Sequence, residues 1–216
     1  MEFKISKELI TQIETLVQQN NIVELETILH EIHFADIAEI MNDLDTSEAI
    51  YIFNLLDSEI TAEILLELDD EVRENILRSL SAKEIAEELD ELDTDDAADI
   101  IAELPQSKKA QVISELEDVE HAKDIVDLLR YDENTAGGIM AKELVKVNEN
   151  WNVLTCVKEM RHQAENVTRV HSIYVVDDED RLKGRLSLKD LLTTSTKTQI
   201  SDIYIKKVDY VRVETK

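Results

Sequence analysis

The chain has 216 residues and a formal net charge of −26, with 49 acidic and 23 basic side chains. The whole excess lies in residues 1–130, because residues 131–216 carry equal numbers of acidic and basic side chains. All three glycines also fall in the second part, and the single proline falls in the first. Such a break in composition predicts two differently built domains.

Several classes of protein are excluded by these numbers. A block this acidic repels phosphate backbones, which argues against nucleic-acid binding and favours cationic ligands. One cysteine, Cys156, forms neither an intramolecular disulfide nor a cysteine-based zinc cluster. No signal peptide is visible, and the apolar runs are far shorter than the roughly 20 residues that cross a bilayer. We therefore expect the chain as written to be soluble.

A 24-residue repeat runs through the acidic part. Alanine recurs in one slot of the repeat, at Ala38, Ala62, Ala86 and Ala110. Leucine followed by an acidic residue recurs in another, at Leu44, Leu68, Leu92 and Leu116. A weaker copy precedes these four, with Ile13 and Leu16 in apolar slots and Glu14 in place of the alanine. Its divergence is typical of a terminal capping repeat.

Each repeat is predicted to be a helical hairpin. The apolar residues Ile37, Ile40, Met41 and Leu44 follow the helical spacing i, i+3, i+4, i+7, and a second apolar stripe follows within the same repeat. Clusters of Asp, Ser and Thr between the stripes are suited to cap helix starts. Stacked hairpins of this kind form an α-solenoid.

The acidity of this part has an ordinary structural explanation in helix starts and solvated faces. That explanation does not cover the missing counter-charges, since no lysine or arginine occurs between Ile10 and Glu71. Most helical proteins interleave cations with carboxylates at i, i+4. A surface so unbalanced would be stabilised by bound cations.

Adjacent glycines, Gly137 and Gly138, interrupt the helical pattern. Glycine weakens a helix and permits unusual backbone angles, so we expect a joint over residues 131–138. Two interpretations stay open, an ordinary linker and a hinge that lets the acidic domain swing.

The second part follows a β-α-β-β-α pattern. Residues 144–147 and 172–177 are predicted strands, with a helix starting at Asn152 between them. Residues 182–188 are predicted to return as another strand that contains Gly184, and Ser187 is suited to cap a final helix.

This second part resembles a cystathionine β-synthase (CBS) domain, through the residues Tyr174 to Asp177 and the pattern Gly-x-x-Ser-x-x-Asp over Gly184, Ser187 and Asp190. The resemblance implies that Ser187 and Asp190 bind the ribose of a nucleotide, with ATP or another adenine nucleotide as ligand. Both residues are equally suited to capping the helix.

A partial second copy of the domain lies 64 residues further on, where Ile203 matches Ile139 and Val211 matches Val147. We therefore expect residues 1–130 to be the acidic helical domain and residues 131–138 the joint. Residues 139–200 are expected to form the first CBS domain, and residues 201–216 the first strand of a second, truncated one. The chain is then a fragment, or the rest of the second domain is supplied elsewhere.

The combination resembles the cytosolic part of the MgtE family of magnesium transporters, an acidic helical N domain followed by CBS domains. The residues that carry the resemblance are Tyr131, Thr135, Ala136, Gly137, Gly138, Ile139 and Met140, together with the CBS motif. It implies a homodimer formed through the CBS domains, on the cytoplasmic face of the cell membrane. It also implies that Mg²⁺ bridges the N and CBS domains to favour a closed pore, in a transmembrane domain absent from this chain.

The resemblance places the acidic-domain Mg²⁺ ligands at Glu63, Asp95 and Asp99. Independently of the family, Asp95 and Asp99 stand at i, i+4 and so share one helix face. The alternative function is a nucleotide-regulated α-solenoid scaffold that binds a protein partner. We expect no enzymatic activity, since no base accompanies Cys156 and no glycine-rich phosphate loop is present.

Overall fold

The computed structural model describes residues 5–164, 167, 170 and 172–216. The chain divides into two compact units. The first unit is formed by Met1–Leu92 and Asp96–Leu129, and the second by Asp93–Asp95 and Arg130–Lys216.

The first unit is built from short helices. Those described are α1 (Lys7–Gln18), α2 (Ile22–Leu29), α3 (Phe34–Asp43), α4 (Thr46–Phe53), α5 (Ser58–Glu67), α6 (Asp70–Ser79), α7 (Ala82–Leu89), α8 (Thr94–Glu103), α9 (Gln106–Glu115) and α10 (Val119–Leu128). Each 24-residue repeat supplies one pair, α3 with α4, α5 with α6, α7 with α8 and α9 with α10. The weaker first copy supplies α1 and α2.

Equivalent helices of successive hairpins pack on each other, α3 on α5, α5 on α7, and α7 on α9. This stacking confirms the α-solenoid. The outward face of α1 is polar, with Lys7, Thr11, Gln12 and Thr15 exposed, as a terminal repeat requires.

The repeated slots form the core of the solenoid. Ala38, Ala62 and Ala86 are at most 1% exposed, so neighbouring helices approach closely at each of them. Ala110, in the last copy, is exposed, as expected where the repeat provides no further first helix to stack on α9. The leucines of the second slot are buried in all four copies.

The helix starts confirm the capping signals in part. Ser81 forms a capping box with Glu84, in which the Ser81 hydroxyl accepts from the Glu84 N–H at 3.2 Å and the Glu84 carboxylate accepts from the Ser81 N–H at 2.7 Å. Asp45, Asp57 and Asp69 occupy N-cap positions without a side-chain cap bond. Their negative charge still complements the positive end of the helix dipole.

The described part of the second unit contains a three-stranded sheet and two α-helices in the predicted β-α-β-β-α order. Its elements are β1 (Val145–Asn148), α11 (Val153–Gln163), β2 (Ile173–Val176), β3 (Leu182–Leu186) and α12 (Leu188–Thr193). The strand order is β1-β2-β3, with β1 parallel to β2 and β2 antiparallel to β3. Val145, Val147, Ile173 and Val175 are buried between the sheet and the helices.

Gly184 allows a second segment of main chain to lie directly against β3. Arg185 and Ile205 exchange two main-chain hydrogen bonds, of 3.0 and 2.8 Å. A methyl group added at Gly184 would lie 2.3 Å from the carbonyl oxygen of Ile205. Only glycine therefore fits between these segments.

The adjacent glycines are also required by close packing. The Gly137 N–H donates to the carbonyl of Val213 at 2.9 Å, and a methyl group at Gly137 would lie 2.6 Å from the Tyr131 ring. A methyl group at Gly138 would lie 2.3 Å from the carbonyl oxygen of Asp132. No described glycine has a positive φ, so contact rather than backbone conformation explains the pair.

The predicted strand near Val211 is not formed. Over residues 201–216 the structure shows the end of a 3-10 turn (Ile200–Asp202), the isolated pairing of Ile205 with Arg185, and extended chain. A strand needs a neighbouring strand to bond with. Here the main chain bonds instead to residues 136 and 137, and Val211 stays 68% exposed.

Replacing Gly184 by alanine is expected to destabilise the second unit by about 2 kcal/mol, because the added carbon overlaps the Ile205 main chain. Urea unfolding followed by Trp151 fluorescence measures this, since Trp151 packs on the core of that unit. Lys183→Ala is the matched control, as Lys183 is an exposed residue of the same strand. Equal stability of the two variants would contradict the close-contact explanation.

Candidate functional site

Two lysines of the first unit bind main-chain carbonyls instead of carboxylates. The Lys108 ammonium donates to the carbonyl oxygens of Leu77 and Leu80, at 2.7 and 2.6 Å, at the end of α6. The Lys109 ammonium donates to the carbonyl of Ala102 at 2.7 Å, in the last turn of α8. These ammonium groups bind carbonyl oxygens at the C-terminal ends of helices, and their charge complements the negative end of each helix dipole.

Arg73 acts in a similar way at the end of α5. Its guanidinium donates to the Leu68 carbonyl at 2.9 Å and also binds the carboxylates of Asp70 and Glu103, at 2.7 and 2.8 Å. The hydrogen bonds and charges of these two acids raise the pKa of Arg73, against a smaller effect of burial. One cation thus joins two hairpins.

The remaining ion pairs described in this unit are exposed and local. Arg78 pairs with Glu74, and Lys83 with Glu87 at 3.0 Å, each at i, i+4 on one helix. Such pairs stabilise a helix by only about 0.3–0.5 kcal/mol. The cations of the first unit therefore leave most of its negative charge uncompensated.

Carboxylates align in rows across the solenoid. Glu39, Glu63 and Glu87 occupy one slot on the consecutive helices α3, α5 and α7. Another slot holds an acid in four copies, Asp43, Glu67, Glu91 and Glu115, all of them exposed. Packed helix axes lie about 8–10 Å apart, so unscreened charges in a row repel by about 0.4 kcal/mol per neighbouring pair in water. These rows could have been predicted from the 24-residue repeat, because it places acids in the same slot of successive copies.

The predicted metal ligands lie on two helices. Glu63 is half-buried on α5, while Asp95 and Asp99 lie one turn apart on α8. Within the described part of the chain, no group of three or more His, Cys, Asp or Glu side chains is placed to hold a metal ion. The three residues therefore do not form a preformed, fully protein-coordinated centre.

Glu143, which the sequence analysis did not predict as a functional residue, binds Thr94, the residue before Asp95 in the chain. Both Thr94 and Glu143 belong to the second unit. The N–H and the hydroxyl of Thr94 donate to the two oxygens of the Glu143 carboxylate, at 2.9 and 3.0 Å. Thr94 is only 2% exposed. The two residues are 49 positions apart, and no local pattern could have paired them.

At the predicted nucleotide site, the Ser187 hydroxyl accepts from the Asp190 N–H at 3.5 Å, which caps α12. Both residues are half-buried. The capping role of Ser187 is thus seen in the structure, and its role toward a nucleotide stays a prediction.

The fold and the charge distribution define an acidic helical-repeat domain joined to a CBS-type α/β domain. Residues 32–134 match the family described as the MgtE intracellular N domain, and residues 136–196 match the CBS domain. Curated relatives include magnesium transporters MgtE of Thermus thermophilus, 38% identical over 105 residues, and of Enterococcus faecalis, 37% identical over 94. Each alignment covers 44% of this chain but only 23% and 21% of the relative.

Solved structures agree with these matches. A structure described as the cytosolic domain of the Mg²⁺ channel MgtE in complex with ATP has 31% identity and a TM-score of 0.83, and the comparison covers 95% of this chain and 84% of that one. The soluble part of a magnesium transporter has 27% identity and a TM-score of 0.76, with 97% and 82% covered. The chain belongs to the MgtE family. None of its described helices is long and apolar enough to cross a membrane.

Replacing Lys108 by methionine is expected to destabilise the first unit by about 2 kcal/mol, because the carbonyls of Leu77 and Leu80 lose a charged donor. Lys83→Met removes the same charge from an exposed pair and is expected to cost much less stability. Urea unfolding followed by far-UV circular dichroism measures both. Equal losses of stability in the two variants would mean that Lys108 stabilises the unit only through its charge and not through the carbonyls that it binds.

Proposed function

We propose that this chain is the magnesium-sensing and gating region of a magnesium transporter or channel, acting at the cytoplasmic face of the cell membrane without enzymatic activity. The observation that carries the proposal is the charge distribution. The whole net charge of −26 belongs to residues 1–130, where Lys108 and Lys109 bind carbonyls and Arg78 and Lys83 pair with exposed local partners. Membership in the MgtE family supports the choice of ion.

The available ligands suit Mg²⁺. Carboxylate oxygens are hard donors, and Mg²⁺ retains several waters and needs only one or two carboxylates in many sites. Asp95 and Asp99, on one face of α8, provide two such groups, and Glu63 provides a third on α5. A centre with several protein ligands is not needed, in keeping with the absence of one among the described residues.

The gating mechanism follows from repulsion between carboxylates. Two like charges about 4 Å apart repel by about 4 kcal/mol at an effective dielectric constant near 20. A divalent ion between facing acidic surfaces replaces this repulsion by attraction. Bridging of the N and CBS domains by Mg²⁺ then favours the closed state, and linkage requires that closure raise the affinity for Mg²⁺ by the same factor. Falling Mg²⁺ releases the gate.

The proposal includes partners and a second ligand. The CBS domains form a homodimer, and the gate acts on a transmembrane pore domain of the transporter. An adenine nucleotide binds through the Ser187 hydroxyl and the Asp190 carboxylate, which suit the hydroxyl groups of a ribose. The likeness to an MgtE cytosolic domain in complex with ATP supports this part.

The double variant Asp95→Asn, Asp99→Asn is expected to lower the affinity for Mg²⁺ about tenfold or more, since it removes two charged ligands from α8. Calorimetric titration of the whole chain measures this. Glu120→Gln with Asp124→Asn is the matched control, because it removes the same charge at i, i+4 from α10, the equivalent helix of the next hairpin. An equal effect of both pairs would remove Asp95 and Asp99 from the site.

Asp190→Asn is expected to weaken ATP binding about tenfold or more, because a charged hydrogen bond to the ribose is lost while the main-chain N–H that Ser187 caps remains. Asp202→Asn, an exposed carboxylate in the same unit, is the control. Fluorescence of Trp151 during ATP titration provides the measurement. Equal affinities in both variants would contradict the assignment, and ATP binding without any Mg²⁺ binding would favour a nucleotide-regulated scaffold.

A further inference from the structure

A polar pair is buried inside the otherwise apolar core of the solenoid. Glu88 on α7 is 9% exposed and Thr61 on α5 is 0% exposed. Their side-chain oxygens, Glu88 Oε2 and Thr61 Oγ1, lie 2.6 Å apart. The pair therefore links two neighbouring hairpins across the core.

Most other copies have apolar residues in these two slots, and the exception is Lys109, which occupies the slot of Thr61 in the last repeat. The slot of Glu88 holds fully buried residues in three other copies, Ile40, Ile64 and Val112. The slot of Thr61 holds buried isoleucines in two others, Ile37 and Ile85. An apolar contact would be the simpler solution at this point, so the acid and the hydroxyl call for a separate explanation.

The hydrogen-bond geometry accommodates a protonated Glu88 without leaving a polar group of the pair unpaired. The Thr61 hydroxyl has one hydrogen and also lies 3.2 Å from the carbonyl oxygen of Asp57. When Glu88 carries a proton, it donates to Thr61, and Thr61 donates to Asp57, so every group is satisfied. When Glu88 is ionised, the Thr61 hydroxyl must donate its hydrogen to Glu88 instead of to the Asp57 carbonyl. The carboxylate charge then has a single described hydrogen-bond donor from the protein.

Burial and the neighbouring negative charges favour the protonated form of Glu88. Burial first, and then the charges of Glu87 on α7 and of Glu91 just beyond its end, raise the pKa of Glu88 to about 7, although the Thr61 hydrogen bond lowers it. The acids of α5 are Glu59, Glu63 and Glu67, and the charged residues of α9 are Lys108, Lys109 and Glu115. Both lysines donate to carbonyls, and no described cation is paired with Glu88.

We propose that Glu88 and Thr61 form a proton-dependent latch between α5 and α7, which is closed while Glu88 carries its proton and loosens when Glu88 ionises. The solenoid then responds to pH through a residue that is not one of the proposed magnesium ligands. This inference does not depend on the proposed function, since it concerns the core of the first unit.

The sign of the pH effect follows from proton linkage. The pKa of Glu88 rises from 4.5 in the unfolded chain to about 7 in the folded one, so the folded state holds the proton more tightly. The contribution of Glu88 to stability is therefore highest at low pH and declines as the pH rises from about 4.5 to about 7. Between pH 5.5 and 8, this one group lowers the folding equilibrium constant roughly 30-fold.

The test compares the whole chain with Glu88→Gln, which keeps the shape of the side chain but does not titrate. Urea unfolding of the first unit is followed by far-UV circular dichroism at pH 5.5 and pH 8, and Trp151 fluorescence reports the second unit. We expect the folding constant to fall roughly 30-fold more in the wild type than in Glu88→Gln. Glu71→Gln, an exposed acid of α6 that does not contribute to the pKa of Glu88, is expected to behave as the wild type. Equal pH dependence of the wild type and Glu88→Gln would overturn the proposal.

A second measurement avoids any folding defect of the variant. Hydrogen exchange of the unmodified chain at pH 6 and pH 8, corrected for intrinsic rates, compares the amides of α5 and α7 with those of α3. We expect protection in α5 and α7 to fall at least several-fold relative to α3 at the higher pH. Unchanged relative protection would also overturn the latch.

Discussion

Repulsion among carboxylates is the force against which the first unit folds and on which its proposed function depends. Residues 1–130 carry the whole net charge of the chain, and stacking the hairpins brings acids of the same slot into rows. What opposes the repulsion is a continuous apolar core, in which the leucines at 44, 68, 92 and 116 and the alanines at 38, 62 and 86 are buried. The negative surface is thus a product of the same repeat that builds the core.

Two cations of the first unit strengthen the stack of hairpins more than they neutralise its surface. Lys108 ties α9 to the end of α6, and Arg73 joins two hairpins through Glu103. Since these groups reach carbonyls or internal partners, the charge rows stay available to mobile ions. A divalent cation is the natural ligand for such a surface, and the likeness to magnesium transporters agrees with that chemistry.

Much of the fold could be predicted because its helices and strands follow local periodic patterns of apolar residues. The 24-residue register located both helices of each repeat, and alternation with turn residues located the strands around Ile173 and Leu186. Near Val211 the chain is extended without strand pairing, since a residue pattern alone does not supply a neighbouring strand to bond with. The requirement for glycine at position 184 depends on the Ile205 main chain, which lies against it and which no local pattern predicts.

The site was less predictable because its contacts join residues far apart in the chain. The bonds of Lys108 to the end of α6 and of Thr94 to Glu143 span 28 to 49 residues, and the burial of Glu88 depends on how α7 faces α5. A hydrophobic pattern shows which positions of the repeat are usually buried. It does not show whether a polar residue at such a position has a hydrogen-bond partner in the core. The assignments of Glu63, Asp95, Asp99, Ser187 and Asp190 to ligands stay predictions.

The central claim, that Mg²⁺ relieves repulsion and holds the chain in a closed state, is tested most directly by small-angle X-ray scattering. The radius of gyration of the whole chain is measured during titration with MgCl₂ and with KCl at matched ionic strength. Specific bridging predicts that Mg²⁺ compacts the chain while K⁺ has little effect. Equal compaction by the two salts would mean plain screening of charge and would contradict the account.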